Sequence, residues 1–337
     1  MEILEYKIQE SIHLPKNFLL SYEDINFALF DIETTGLSSL HNQVILIGLL
    51  YIQNGQITMK QFFCENRKEE IEILQAFEKE IKKFQLFISY NGDTFDIPFL
   101  NKRFQFHKIT YCIQKHKSLD LLKWVKKTKD LFQFNNCKLK SLEEHLGIYR
   151  NDKISGKESV SLYEEYEKNQ AEQLKKLILL HNYDDLYYFS KALCILDQAP
   201  IDYTLECFPH IFHISDKNIG YIFHPSIKNG YFQLDGFYSD IKIKKDYIIY
   251  DNAFHLEYTK KSSSFILKIP LYKGILSTGA KCLYIDTLDF PFSYSVDNTP
   301  SVISSNIVIF KEGSIMKFTE IHRFIIDLLR YIFTVHE

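Results

Sequence analysis

The sequence predicts an α/β domain over residues 25–199 and a β-rich region over residues 200–337 that ends in an amphipathic helix. In the first part, apolar runs of strand length alternate with stretches of helical periodicity. In the second part, short alternating runs rich in Tyr, Phe and Ile are separated by turn residues, which is typical of antiparallel β-structure. A chain of 337 residues is long enough for two domains. Residues 1–24 are expected to form an N-terminal extension.

Three strands are expected at the start of the α/β domain. Residues 27–33 (FALFDIE) form an apolar run that ends in acids, as a buried strand with a site at its end would. Residues 44–52 (VILIGLLYI) predict a second buried strand. Asn54-Gly55 is a hairpin signal, and residues 56–64 predict the strand that follows it. These three strands are therefore expected to be antiparallel.

Helices and a fourth strand follow. Residues 68–84 carry apolar side chains at helical spacing, residues 85–90 (QLFISY) predict a strand, and a helix is expected from about Asp96.

The second half of this domain is expected to be mainly helical. Ser141 and Glu144 have the spacing of a capping box and predict a helix start. Residues 174–196 predict a long amphipathic helix, and Pro200 is a suitable end to the domain. At the end of the chain, residues 315–335 have apolar side chains on one helical face and predict a helix that packs on the β-rich region.

Composition indicates a protein without a membrane segment. The 40 Lys and Arg nearly balance the 43 Asp and Glu, so the net charge of -3 does not by itself indicate a nucleic-acid partner. The six cysteines are scattered without a CxxC pair, which argues against a disulfide framework or a zinc module. The first residues, MEILEYKIQE, lack the apolar core of a secretory signal. A cytoplasmic protein is expected.

Acidic residues close the first predicted strand. Residues i and i+2 of a strand point to the same side, so Asp31 and Glu33 can face one pocket. Phosphodiester hydrolysis with two divalent cations needs several carboxylates that converge on ions about 4 Å apart. Magnesium prefers oxygen ligands, so three or four Asp or Glu side chains suffice. A lone DxE is weak evidence, but a DxE that closes an apolar strand and precedes TTG is much stronger.

Two further clusters carry candidate ligands. In NGDTFDIPFL, Asp96 lies where a loop meets a helix, and the alternative that it caps this helix is compatible with a ligand role. In HNYDD, His181 and Asp185 are four residues apart and share one helix face. The alternative there is a solvated face with a partly buried His. The three clusters taken together favour a common site.

The sequences FDIETTG, YNGDTFDIPFL and LLHNYDD resemble, in this order, the three exonuclease motifs of the DnaQ-like (DEDD) 3′–5′ exonuclease superfamily. SLDLL (118–122), LKSLEEHLGIYR (139–150) and the NDKISGKES that follows resemble its YprB-like, ribonuclease H-like branch. The resemblance covers roughly residues 25–197. It implies a ribonuclease H-like fold, in which helices flank a mixed sheet, and a metal-dependent 3′–5′ exonuclease.

The resemblance also implies site residues. Asp31, Glu33, Asp96 and Asp185 would be the ligands of two Mg²⁺ or Mn²⁺ ions. In the DEDDy branch a Tyr lies four residues before the last Asp, and in the DEDDh branch a His lies five before it. Here His181 lies four before Asp185, so it holds the Tyr position with a different chemistry. Two roles are open for it, as the general base for the attacking water or as a hydrogen-bond partner of that water.

Three other acids lie in these motifs. Asp184 competes with Asp185 for the last ligand position, but it would lie about 100° away around the helix. Asp93 and Asp120 are expected near the pocket, with at most a supporting role there.

A basic segment follows the second motif. Residues 101–140 hold eleven Lys or Arg against two Asp, with six aromatic residues between them. Basic side chains contact phosphates and exposed aromatic rings stack on unpaired bases, so a substrate track is expected here. The alternative is a solvated helix surface whose aromatics lie in the core. Lys102 and Arg103, with Thr34 and Asn91 beside the acids, are the expected substrate contacts.

The predicted partner is single-stranded or 3′-ended DNA or RNA, and the sequence does not separate the two. Two alternatives remain open: a nucleic-acid-binding module with weak or lost catalysis, and a structure-selective endonuclease on the same fold. Residues 200–337 have two possible roles. They could clamp the substrate or dock a partner, or they could be a stabilising accessory domain, and no motif decides between these roles.

Overall fold

The computed structural model describes residues 1–10, 12, 14–22, 25–150, 154, 156–215, 218–294 and 306–335. The chain divides into two compact units, Met1–Ala199 and Pro200–Glu337. Residues 151–153 and 155, part of the segment NDKISGKES that contributes to the family resemblance, lie outside the described residues. Within the described ranges, no helix has the length and apolar character that crossing a membrane requires.

The first unit is built on a six-stranded mixed sheet, as the family resemblance predicts. Its strands are β1 (Glu2–Ile8), β2 (Phe27–Thr34), β3 (Val44–Gln53), β4 (Gln56–Phe63), β5 (Leu86–Ser89) and β6 (Ser118–Asp120). Their order across the sheet is β1-β4-β3-β2-β5-β6. The three strands predicted to be antiparallel are confirmed as β2, β3 and β4, whereas β5 and β6 continue the sheet in the parallel sense. Residues 2–8 of the expected N-terminal extension pair with β4 as the edge strand.

Helices flank this sheet. They are α1 (Lys16–Tyr22), α2 (Glu70–Ile81), α3 (Asp96–Phe106), α4 (Leu121–Phe132), α5 (Leu139–His145), α6 (Gly156–Asn169) and α7 (Glu172–Ala192). Strand alternation assigns the two faces. Phe30 of β2 contacts Phe77 of α2, with ring centroids 6.4 Å apart, whereas the side chain of the next residue, Asp31, is hydrogen-bonded to α7. The two faces of β2 are thus covered by different helices.

The helix start expected at Ser141 is wrong, whereas the helix expected from about Asp96 is confirmed as α3. Helix α5 begins at Leu139 with Lys138 at the N-cap position, and the hydroxyl of Ser141 donates to Oδ1 of Asn136 at 2.9 Å instead of capping the helix. In α3 the N-cap position is held by Phe95, so Asp96 is the first helical residue and does not cap the helix. Its carboxylate is therefore available for other contacts.

The second unit is β-rich, as predicted, but it begins with the helix α8 (Ile201–Cys207) where only β-structure was expected. Six strands form an antiparallel sheet: β7 (His210–Ser215), β8 (Asn218–Lys228), β9 (Tyr231–Tyr238), β10 (Tyr247–Tyr250), β11 (His255–Thr259) and β12 (Ser264–Pro270). A smaller antiparallel sheet contains β13 (Tyr272–Ile275), β14 (Lys281–Asp286), β15 (Ile307–Glu312) and β16 (Ile315–Met316).

The predicted C-terminal helix is α9 (Phe318–Val335), and it starts after the short strand β16. Its apolar face is buried in one core with residues of both sheets. Phe324 and Leu328 of α9 share this core with Leu234 of the larger sheet and Phe310 of the smaller one. The amphipathic pattern of the last residues therefore serves the packing of the second unit.

Candidate metal centre

Asp31 and Glu33 lie on one face of β2, as the strand period predicts. The side chain of Glu33 is buried and that of Asp31 is half-buried. On the opposite face, Ala28, Phe30 and Ile32 belong to the hydrophobic core. Alternation along a strand buried on both sides therefore sends Ala28, Phe30 and Ile32 one way and the two acids the other.

Asp31 belongs to a row of three paired residues that crosses the sheet. Asp31 of β2 is the partner of Gly48 in β3, and Gly48 is the partner of Gln61 in β4. Helix α7 crosses this row at Asn182, which is fully buried. The amide of Asn182 donates to Oδ2 of Asp31 at 3.0 Å and accepts from Nε2 of Gln61 at 2.9 Å. A fixed hydrogen bond thus orients one carboxylate oxygen of Asp31.

Gly48 permits this close approach. A Cβ atom at position 48 would lie 2.3 Å from Oδ1 of Asn182 and 2.5 Å from a methyl carbon of Leu186. Only glycine leaves room for α7 at that distance from the sheet. The backbone of β3 and the side chain of Asn182 are therefore mutually constrained.

Asp96 reaches the same place from α3. Its Oδ1 accepts a hydrogen bond from the backbone N–H of Ile32 at 3.2 Å, which ties α3 to the strand between Asp31 and Glu33. The loop before it has a left-handed residue, Asn91, with φ 69°. Gly92 follows, where a Cβ would lie 2.1 Å from the hydroxyl of Ser89. This sharp turn directs the chain from β5 into the start of α3.

Asp120 holds that loop in place. It lies at the end of β6, and its Oδ1 accepts from the N–H groups of Asn91 at 2.7 Å and Leu122 at 3.0 Å. Its Oδ2 accepts from the N–H of Asp93 at 3.3 Å. Asp120 therefore caps α4 and anchors the loop that leads to Asp96 with the same carboxylate.

His181 and Asp185 face the acids of β2 from α7. Nε2 of His181 lies 3.5 Å from Oε1 of Glu33 and 3.7 Å from Oδ2 of Asp185. One donor atom from each of these three residues lies within 4.8 Å of the other two. The i, i+4 spacing thus produces the shared face that the sequence predicts.

Arg150 contacts the site although the sequence analysis did not single it out. Its Nη1 donates to Oδ1 of Asp185, and its Nε lies 3.0 Å from Oε2 of Glu143, which is fully buried. The guanidinium therefore bridges a buried glutamate of α5 and the last predicted metal ligand.

The site concentrates negative charge away from water. Burial, and then the charges of Asp96, Asp185 and Glu33, hold the pKa of Asp31 well above its ordinary value. Burial raises the pKa of Glu33 to about 7 against the attraction of His181. Burial also raises the pKa of Asp96 to about 7, although backbone N–H groups donate to it. Burial is the main cause of all three pKa shifts, nearby carboxylates add to it, and a bound cation would oppose both effects.

The acids line a cleft of about 980 Å³ in the first unit. Asp31, Glu33, Asp96, His181 and Asp185 all line it, and so do Thr34 and Asn91. Basic side chains at its edge are Lys140, Arg150 and Lys157. Asp184 is not among the lining residues, which agrees with the choice of Asp185 over its neighbour. The donors are mainly carboxylate oxygens, and this set fits Mg²⁺ or Mn²⁺.

One expected substrate contact is contradicted by the structure. Arg103 is only 4 % exposed, and its Nε donates to Oε1 of Glu70 at 2.7 Å in a buried ion pair. His107 also binds Glu70, at 2.8 Å from Oε2. Arg103 thus stabilises the packing of α3 on α2 and is engaged there. Its neighbour Lys102 is exposed on α3 but does not line the cleft.

Several aromatic residues of the basic segment lie in the core, as the alternative interpretation expected. Phe104, Trp124 and Phe134 are buried, whereas Phe106 is exposed. On α4, Trp124 and Thr128 face inward while Lys123, Lys126 and Lys129 are exposed. The lysines of α4 therefore form a solvated face.

Sequence reasoning missed Gly48, Gln61, Asn182, Glu143 and Arg150. Asn182 and Arg150 lie inside segments that resemble family motifs, HNYDD and LGIYR. The position of the polar Asn182 directly after His181 was therefore a usable signal. Gln61 and Gly48 carry no local signal, because their role depends on cross-strand register and on where α7 crosses the sheet.

The match to a family model agrees with the fold of the first unit. A family model described as RNase H superfamily matches residues 28–191. The uncharacterized protein YprB of Bacillus subtilis (strain 168) is 29% identical over 193 residues, which are 54% of this chain and 46% of that protein. The chain thus spans less than half the length of this curated relative. A family B DNA polymerase from the hyperthermophilic archaeon Pyrobaculum calidifontis aligns with a TM-score of 0.40 at 17% identity, over 52% of this chain and 24% of the polymerase. Residues 28–191 of the first unit are thus similar to the ribonuclease H superfamily, and the chain is similar to YprB.

Proposed function

We propose that the first unit is a two-metal nuclease that hydrolyses phosphodiester bonds of nucleic acid as a 3′–5′ exonuclease. The match of residues 28–191 to the RNase H superfamily model supports a nuclease that acts on nucleic acid. The observation that carries the finer proposal is the convergence of Asp31, Glu33, Asp96, His181 and Asp185 in one cleft. These residues come from β2, α3 and α7, and no packing requirement explains why three separate elements send acids into one buried place.

Asp31, Glu33, Asp96 and Asp185 would hold the two divalent cations. When bound, such ions activate a water molecule and stabilise the leaving oxygen. The chain itself contributes orientation. The amide of Asn182 fixes Asp31, the N–H of Ile32 fixes Asp96, and Arg150 fixes Asp185. A ligand set held in this way loses little freedom when the ions bind.

The surroundings of the acids suit a phosphate backbone. Lys140 and Lys157 line the cleft, where they would neutralise phosphates next to the cleaved bond. Thr34 and Asn91 line the cleft beside the acids and remain our proposed polar contacts to the terminal nucleotide. We leave Arg103 out of the substrate surface because the buried pair with Glu70 occupies it.

The decisive experiment uses end-labelled single- and double-stranded DNA and RNA, incubated with Mg²⁺ or Mn²⁺ and resolved by product length over time. We expect a ladder that shortens from the 3′-end. Discrete internal products would replace the proposal by a structure-selective endonuclease. Binding to single strands without metal-dependent turnover would replace it by a binding module.

A matched pair of variants ties the activity to the cleft. Asp185→Asn should lower the rate by more than about 100-fold, because it removes a ligand charge worth several kcal/mol in the transition state. Asp184→Asn changes the neighbouring acid, which does not line the cleft, and should retain the activity. Equal activity of the two variants would refute the ligand role of Asp185.

A further inference from the structure

The two carboxylate oxygens of Asp185 have different neighbours. Oδ1 accepts a hydrogen bond from Nη1 of Arg150. Oδ2 lies 3.7 Å from Nε2 of His181, and the same nitrogen lies 3.5 Å from Oε1 of Glu33. Nε2 of His181 therefore lies between two carboxylate oxygens, one from β2 and one from its own helix.

These three atoms have the composition and spacing of a ligand set. One donor atom from each of the three residues lies within 4.8 Å of the other two, and the side chains of Glu33 and His181 are buried. Neighbouring ligands of a six-coordinate ion with bonds of about 2.1 Å lie about 3 Å apart. The separations of 3.5 and 3.7 Å are wider than this by an amount that small side-chain rotations can close.

Arg150 explains why Oδ2 of Asp185 faces His181. Its Nε lies 3.0 Å from Oε2 of Glu143, which is fully buried and therefore fixed in place. With one end anchored there, Arg150 binds Oδ1 of Asp185 and turns Oδ2 towards Nε2 of His181. The rigid planar fork of an arginine is suited to this task, and the flexible stem of a lysine is not.

We propose that His181 is a nitrogen ligand of one of the two divalent cations, together with Oε1 of Glu33 and Oδ2 of Asp185, and that Arg150 is the residue that positions Asp185 for it. This inference rests on the proposed function, because the cation is the one that the nuclease would use. It assigns His181 a role other than general base, since Nε2 bound to a cation cannot accept the proton of a water.

The proposal predicts a metal preference. Mg²⁺ takes oxygen ligands, whereas Mn²⁺ accepts an imidazole nitrogen as well as carboxylates. The chain should therefore bind Mn²⁺ more tightly than Mg²⁺. The ratio of the two affinities should be larger than at a site made only of carboxylates. An exchange of His181 should lower the affinity for Mn²⁺ more than the affinity for Mg²⁺.

The test is spectroscopic and needs no substrate. The metal-free protein is loaded with Mn²⁺, and electron spin echo envelope modulation detects nitrogen-14 bound to the ion. We expect nitrogen modulation in the unchanged chain, its loss in His181→Gln, and a loss of Mn²⁺ affinity of about tenfold or more in that variant. His41→Gln, which changes an exposed histidine, should keep the nitrogen modulation and the Mn²⁺ affinity of the unchanged chain. Absence of nitrogen modulation in the unchanged chain, with Mn²⁺ bound, would overturn the proposal.

Arg150→Lys separates orientation from charge. Lysine keeps the positive charge but cannot span Glu143 and Asp185 with one rigid fork. We expect Mn²⁺ affinity to fall at least about threefold, with a weaker nitrogen modulation, in a variant that remains folded in EDTA. Unchanged affinity and modulation would refute the positioning role of Arg150.

The outcomes separate this inference from the proposed function. Nitrogen-bound Mn²⁺ in a chain that degrades no nucleic acid would support the ligand role of His181 and refute the nuclease. Metal-dependent degradation without any nitrogen modulation would support the nuclease and refute the ligand role.

Discussion

Asn182 of α7 donates a hydrogen bond to Asp31 of β2 at 3.0 Å, directly over Gly48 of the neighbouring strand. The same amide accepts a hydrogen bond from Gln61 at 2.9 Å. Three strands and one helix thus meet at a single buried polar group. Its hydrogen bonds orient the first acid of the site, so the packing of α7 on the sheet and the geometry of the candidate metal centre are coupled.

Gly48→Ala should disturb both stability and metal binding. The added methyl would lie 2.3 Å from Oδ1 of Asn182, so α7 must shift or the amide must leave Asp31. We expect a loss of about 1–3 kcal/mol in the free energy of unfolding, typical of overpacking, and weaker Mn²⁺ binding. Urea denaturation and calorimetric titration measure the two effects. Gly156→Ala is the control for stability, because a Cβ there meets no atom within 4 Å. An unaltered Gly48→Ala protein would contradict the close packing described.

The metal-free protein should become less stable as pH rises from about 5 to 8. Glu33 and Asp96 have pKa values of about 7 in the folded chain, above the ordinary 4.5 and 3.8. Such groups take up protons on folding, so the stability they contribute is fully present below the unfolded pKa and is lost as pH rises through the folded pKa. Burial of the charged form is the cause.

Urea denaturation in EDTA at several pH values tests this dependence. A double variant, Glu33→Gln with Asp96→Asn, lacks both groups and should lose less stability over the same range. Asp184→Asn retains Glu33 and Asp96, so its stability should change with pH as that of the unchanged chain does. Saturating Mn²⁺ should flatten the decline, because a bound cation compensates the ionised carboxylates. Identical pH slopes for the double variant and the unchanged chain would count against the raised pKa values.

Arg103→Met should destabilise the first unit without a specific effect on nucleic-acid binding. The exchange leaves Glu70, which is 1 % exposed, without its main charged partner. Breaking a buried pair in this way costs about 3–5 kcal/mol. Thermal or urea unfolding measures the loss, and Lys102→Met, an exposed neighbour on α3, should show almost none. A stable Arg103→Met protein that binds nucleic acid weakly would restore the substrate role that the sequence suggested.

Asp120→Ala should weaken the site from a distance. The exchange removes acceptors for the N–H groups of Asn91, Asp93 and Leu122. Loss of the helix cap costs about 0.5–2 kcal/mol, and the loop that directs Asp96 loses its anchor. We expect metal affinity to fall about tenfold or more, as for other supporting residues of metal sites. Asp130→Ala, exposed on the same helix α4, is the matched control for calorimetric titration. Unchanged metal affinity in Asp120→Ala would show that the loop holds its shape without this carboxylate.

Local patterns predicted most elements of the first unit. Alternation and apolar runs located β2, β3 and β4, because a strand buried on one or both faces leaves a period that is visible in the sequence. The capping-box prediction at Ser141 failed because its hydroxyl binds Asn136 in the preceding turn. The helix α8 was hidden because its seven residues lie at the edge of an aromatic, strand-like region. Short elements of this kind depend on packing more than on their own propensity.

By itself, the sequence determined which acids could share a site. Strand period pairs Asp31 with Glu33 and helix period pairs His181 with Asp185, because side-chain direction follows from local backbone geometry. Only the tertiary structure decided which neighbours these residues have. It buried Arg103 against Glu70, brought Arg150 to Asp185, and let Asn182 reach Asp31 over Gly48. Those contacts join residues from 33 to 151 positions apart, and they depend on strand register and helix crossing, which no local pattern encodes.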